Sequence, residues 1–148
     1  MARLLHSFLK RALLLGMVLS CLMPLQAAAE LVLVVNPQSG VDQLTKSQAI
    51  NIFLGRHREL PNGAAAVPID LPAANPEKAL FYQWLVQKDL NQMAAYWSRF
   101  VFAGSTAPPI QGASTQDVLQ FVSNNRGAVA YLDRKSVDAR VKVVLTLD

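Results

Sequence analysis

The residues best placed by type and spacing to do chemistry are Asp70, Asn75, Glu77 and Lys78, in the stretch DLPAANPEKALFYQWLV (70–86). An apolar strand-like run ends here, a small polar turn follows, and a helix begins at a proline. Free N–H groups and the dipole at a helix N-terminus make such a turn a ready anion site. Yet Asn75 is a strong N-cap type, Pro76 suits the first helical position, and Glu77 places a carboxylate in the first turn. The same residues therefore describe either an anion cradle or a self-sufficient helix cap.

Two further loops carry polar residues at strand ends, Asn36–Gly40 and Asn125–Gly127. In an open α/β sheet ligands gather at the carboxyl ends of strands, and Asn36–Gly40 and Asp70–Asn75 both read as lying there. The candidate ligand-binding residues are thus Asn36, Ser39, Gly40, Asp70, Asn75, Lys78, Arg126 and Gly127. Arg56, His57 and Arg58 form a basic cluster beside Gly55 that reads as a solvated loop. Enzyme constellations are missing. His57 is the one histidine beyond the N-terminal segment, no Cys/His cluster has metal-ligand spacing, and no glycine-rich phosphate or dinucleotide loop is present. The sequence reads as a non-enzyme, with no catalytic residue, no metal and no cofactor.

Residues 1–29 hold Arg3, Lys10 and Arg11, the apolar run Ala12–Met23, and then QAAAE. This is the pattern of a secretory signal peptide cleaved after Ala29, and the apolar run is too short for a comfortable membrane span. VLSC loosely resembles a lipoprotein site at Cys21, but Leu19 fits it poorly. The expected location is the periplasm. Without the three basic residues of the signal, the formal net charge of +4 falls to +1, which removes the case for a nucleic-acid partner. Removing Cys21 leaves no cysteine, so no disulfide is expected. Residues 30–148 suit a single domain.

LVLVV (31–35) lacks alternation and reads as a strand buried on both faces, as in a parallel sheet. TKSQAINIFLG (45–55) predicts a helix with a Thr45/Gln48 capping box and Gly55 as its stop. AVPIDL (66–71) is a short strand that Pro68 pushes toward an edge. A helix is predicted from Pro76 to about Lys88 with Leu80, Phe81, Trp84 and Leu85 on its apolar face. Another is predicted over about 92–102, capped by Asn91, with Met93, Trp97, Phe100 and Val101 facing inward. AGSTAPPIQGA (103–113) reads as loop. Ser114 caps a fourth helix with Val118, Phe121 and Val122 inward, and AVAYL (128–132) and VKVVLTL (141–147) read as closing strands. The order fits an α/β domain.

Taken in order, several motifs resemble the periplasmic phosphate-binding proteins of phosphate ABC transporters, the PstS-like family. They are VVNP (34–37), LTKSQAINIFLGR (44–56), the strand, turn and helix over 66–86, WSRFVFAG followed by PP (97–109), and RGAVAYL (126–132). The resemblance runs through nearly all of 31–146. It implies a single lobe like the second lobe of a type II periplasmic binding protein, with a small mixed sheet flanked by about four helices. The implied function is an exported solute-binding-type protein for phosphate or another small oxyanion. A homodimer or a transporter subunit would supply the second surface.

The sequence departs from that family where phosphate would bind. The family places Ser-Gly-Thr at the turn entering the helix, preceded by an arginine. Here Asp70 stands for the arginine, and roughly Ala74, Asn75 and Pro76 stand for Ser-Gly-Thr. Pro76 has no N–H to offer. Asp70 and Glu77 would each repel a second anion, by roughly 1 kcal/mol at 4 Å in water and several-fold more in a partly closed site. Lys78 offsets one of these charges. The turn therefore reads as a helix cap without a phosphate role. The alternative function is an accessory or sensory interaction domain that keeps the lobe as a scaffold and meets a transporter subunit or sensor protein.

Overall fold

The computed structural model describes residues 27–148. The signal segment read over 1–29, with Cys21, lies outside the described residues but for its last three. In chain order the elements are β1 (Leu31–Val35), α1 (Lys46–Phe53), β2 (Val67–Asp70), α2 (Pro76–Val86), α3 (Leu90–Phe102), β3 (Ile110–Gln111), α4 (Thr115–Asn124), β4 (Ala128–Asp133), a 3-10 turn (Arg134–Ser136) and β5 (Lys142–Thr146).

The strands form one mixed sheet in the order β3-β2-β4-β1-β5. β2 runs parallel to β3 and β4, whereas β1 runs antiparallel to both β4 and β5. Every residue of β1 is buried, as its unbroken apolar run predicts, but its neighbours are antiparallel. An unbroken apolar strand reports that both faces are covered, and here that is independent of strand direction. β2 is an edge in part only. β3 pairs with Ile69 and Asp70 but does not reach Pro68, so the missing N–H of Pro68 leaves no gap in that ladder. β3 itself lies in the segment read as loop, because two residues are too few to show periodicity.

The helices start where their caps dictate. Thr45 and Gln48 form the expected capping box of α1. The box of α3 is built by Asp89 and Gln92, so the cap falls two residues before the Asn91 expected. α2 ends at Val86, where Gln87 takes a left-handed φ of 54°. Three apolar faces differ from expectation. On α2, Tyr82 is buried with Phe81 and Leu85 while Leu80 is half exposed. On α3, Met93 alone is fully buried, and Val101 and Phe102 face solvent. On α4, Leu119 takes the fully buried place read for Phe121, which is half-buried.

The core is centred on three packed rings. Phe81 of α2 lies flat on Tyr131 of β4, with centroids 3.8 Å apart, and Phe53 of α1 meets Phe81 edge-on at 4.8 Å. Such pairs add about 1 kcal/mol beyond area burial and fix ring orientation. They aim the Tyr131 hydroxyl at the end of β2.

Gly127 sits where β4 begins, and its carbonyl accepts the Val67 N–H at 2.8 Å. A Cβ there would lie 2.3 Å from the Ala65 carbonyl oxygen, which is backbone and cannot swing away. Gly127→Ala is expected to lower unfolding free energy by about 1–3 kcal/mol in urea titration, through the overpacking this contact forces.

Candidate functional site

The turn entering α2 is a closed cap. The Asn75 side-chain oxygen accepts the Glu77 N–H at 2.9 Å, and Pro76 occupies the first helical position. Glu77 does not fold back onto the cap. Its carboxylate accepts the Asp133 N–H at 3.0 Å, tying the start of α2 to the end of β4.

Asp70, at the last position of β2, is the centre of the polar structure here. Only 5% of it is exposed. Its Oδ2 accepts the Tyr82 hydroxyl at 2.9 Å and meets the Lys78 ammonium at 3.1 Å, while its Oδ1 accepts the Tyr131 hydroxyl. The Tyr131 oxygen in turn accepts the Leu71 N–H at 3.3 Å. A buried carboxylate without such donors would be strongly destabilising. Burial first, then the charge of Asp70, holds both phenols above their usual range, with Arg58 opposing the shift at Tyr82. Both hydroxyls are therefore neutral donors at physiological pH. Lys78 also reaches the Gln111 side-chain oxygen at 3.4 Å, and the Gln111 amide donates to the Leu71 carbonyl at 2.6 Å. This bond locks β3 onto the same site.

A cleft of about 360 Å³ opens beside this cluster. Its polar wall is Asp70, Lys78, Tyr82 and Gln111, and its apolar wall includes Met93, Trp97 and Pro108. Lys78, the one cation of this wall, already pairs with Asp70, so the wall has no net charge to offer an anion.

The other candidate residues lie elsewhere. Val35 pairs with Val129 and Val67 with Ala128, so the carboxyl end of β1 lies beside the amino ends of β2 and β4. The loops Asn36–Gly40 and Asp70–Asn75 thus sit at opposite ends of the sheet, not together as expected, because β1 is antiparallel to β4. Asn36 is committed to structure. Its amide donates to the carbonyls of Val122 and Ser123, both at 2.9 Å, and its oxygen accepts the Gln38 N–H. The Ser39 hydroxyl accepts the Val41 N–H, and Gly40 has a φ of 76°. Gly127 is filled by backbone packing, and Arg126 is exposed at the same end. In the basic cluster, Arg58 donates to the Ala107 carbonyl at 2.5 Å, and His57 meets Glu59 at 3.1 Å on the surface.

The sequence reading missed Tyr82, Tyr131 and Gln111. The spacing of Lys78 and Tyr82, four apart on one helix face, was a usable signal for the first of these. Tyr131 and Gln111 come from distant strands and carry no local signal.

No protein-family model and no curated protein matches this sequence. Solved structures share its fold. An ABC-type phosphate transport receptor from Vibrio cholerae superposes with a TM-score of 0.62 at 19% identity, covering 78% of this chain and 45% of that one. A phosphate ABC transporter-type substrate-binding protein from Clostridium perfringens, solved with bound phosphate, gives 0.64 at 18% identity, covering 78% and 44%. PstS from Borrelia burgdorferi gives 0.58 at 12% identity, covering 78% and 46%. The chain thus spans less than half the length of these proteins, and the likeness is one of fold. The α/β architecture, a five-stranded mixed sheet with four α-helices among the described residues, is that of part of a PstS-like transport binding protein. No helix of the described residues is long and apolar enough to cross a membrane.

Asp70→Asn leaves Lys78, whose side chain is 14% exposed, facing a neutral amide. It is expected to lower unfolding free energy by about 3 kcal/mol, and the double change with Lys78→Met to recover part of that loss, both read in urea titrations. Glu77 gives a pH signature. Burial, opposed by the Asp133 N–H and assisted by the Asp133 charge, raises its folded pKa. The folded chain then holds a proton that the unfolded chain has released. Its stabilisation is present at low pH and is lost as pH rises from about 4.3 through the raised value. Glu77→Gln, which keeps an acceptor for Asp133, is expected to flatten that slope in thermal melts across the acid range.

Proposed function

We propose that this chain is an exported, non-catalytic accessory interaction domain built on the phosphate-binding-protein fold, and that the turn entering α2 does not hold phosphate. The observation that carries this reading is the filled site at the end of β2. Asp70 occupies it as a buried carboxylate, and Tyr82, Tyr131 and Lys78 satisfy that carboxylate. Asn75 and Pro76 close the helix start, and Glu77 adds a carboxylate within the first turn. An incoming oxyanion would meet the Asp70 carboxylate and an ammonium already committed to it. Partners of this reading are a transporter subunit or a sensor protein, met in the periplasm after signal cleavage.

A second reading has support in the fold shared with phosphate transport proteins. Here the cleft beside Asp70 takes phosphate or another small oxyanion once a homodimer or a partner supplies a second, cationic wall. Enclosure of that kind is what small-ligand sites normally need.

Isothermal titration of the purified protein with inorganic phosphate, and with sulfate as control, separates the two. The expected result is no saturable heat at millimolar phosphate. A site near micromolar affinity, about −8 kcal/mol, overturns the interaction-domain reading and restores solute binding.

A further inference from the structure

A second cleft, also of about 360 Å³, lies at the other end of α2, between one side of α1, the carboxyl end of α2 and the flank of α3. Its floor is apolar, made by Ile50, Leu54, Leu85, Val86 and Tyr96. Lys46, Arg56 and Lys88 line it, and no aspartate or glutamate does. Among the described residues none of these three cations forms an ion pair, whereas Lys78, Arg134, Arg140 and Lys142 each meet a carboxylate. Lys46, at the rim, sets its ammonium over the Trp84 ring, 4.5 Å from the centre. The Tyr96 hydroxyl donates to the Leu54 carbonyl at 2.8 Å and fixes the floor.

Helix ends do not account for this charge. α1 and α2 both finish here, and each carbonyl end carries roughly −0.5 of an elementary charge. Those two ends, about −1 in total, face Arg56 and Lys88, while Lys46 begins α1 at its positive end, so the three cations are not balanced, on a chain whose net charge beyond the signal segment is only +1. The basic residue Arg56, read from sequence as part of a solvated loop, belongs to this cleft.

We propose that this cleft is the docking site for an acidic peptide segment of a partner protein, with aspartate or glutamate side chains set around an aliphatic residue. The cationic rim selects carboxylates, and the apolar floor between the helices takes the aliphatic side chain. An open groove of this kind suits a segment of a larger partner better than a small solute, which needs enclosure. The site lies at the opposite end of α2 from Asp70, so it stands whether or not the first cleft binds phosphate.

The probe is a synthetic peptide, acetyl-Glu-Leu-Glu-Glu-Leu-Glu-amide, titrated into the isotopically labelled purified protein and followed by amide NMR shifts. Phosphatidylglycerol vesicles and inorganic phosphate are titrated in parallel. The expected result is saturable, salt-sensitive shifts at Ile50, Leu54, Val86 and Gln87, with affinity lowered about tenfold by Arg56→Glu and by Lys88→Glu, which leave the melting temperature unchanged. Absence of shifts at millimolar peptide overturns the proposal. So does undiminished binding by both variants, or shifts produced by vesicles or by phosphate alone. None of these outcomes bears on the phosphate titration of the Asp70 cleft.

Discussion

The molecule is organised around one buried negative charge. Asp70 ends β2 inside the protein, and a carboxylate there is tolerable only when surrounding donors replace water. Three groups do so from two elements, Lys78 and Tyr82 on α2 and Tyr131 on β4. Lys78 and Tyr82 can reach Asp70 only if α2 packs at one rotation. The ring cluster of Phe53, Phe81 and Tyr131 enforces that rotation from the apolar side. Polar and apolar demands therefore select the same placement of α2, which is the kind of agreement between levels that gives a unique fold.

The same arrangement decides what the cleft can recognise. In an anion site the helix start and its neighbouring cation are left free for the ligand. Here Asn75 takes up the helix start, and Asp70 takes up Lys78. The charge that a ligand would bring is already built into the chain. The fold is shared with phosphate transport proteins, but a shared fold does not transfer a site. At the far end of α2 the balance is reversed, with cations gathered on an apolar floor and no internal counter-charge lining it. One helix thus separates a neutralised pole from an uncompensated one.

Much of this was legible in the sequence where the signal is local. The Thr45/Gln48 box, the Asn75-Pro76 start and the Ser114 cap each rest on residues three positions apart or fewer, and each stands in the structure as read. The faces of α2 and α3 were harder. Leu80 is as apolar as Leu85, and only tertiary contact decides which one points inward. Tyr82 is buried because its hydroxyl has a partner in Asp70, and helical periodicity alone cannot register that. Strand direction was not legible at all. LVLVV carries the same burial pattern in a parallel or an antiparallel setting, so the separation of Asn36–Gly40 from Asp70–Asn75 by the full length of the strands could emerge only from pairing.

The position of β1 has a consequence for the order in which the chain can fold. It is the first strand in sequence, yet it lies inside the sheet, and both its neighbours, β4 and β5, belong to the final quarter of the chain. Val32 meets Leu132 on one side and Thr146 on the other. Closing loops of that length must precede the contacts that reward it, which slows folding. A nascent chain lacking its last twenty or so residues holds its most apolar strand without partners on either side. Such a wiring holds back closure of the sheet until its last strands are present, so that β1, β4 and β5 pair together at the end.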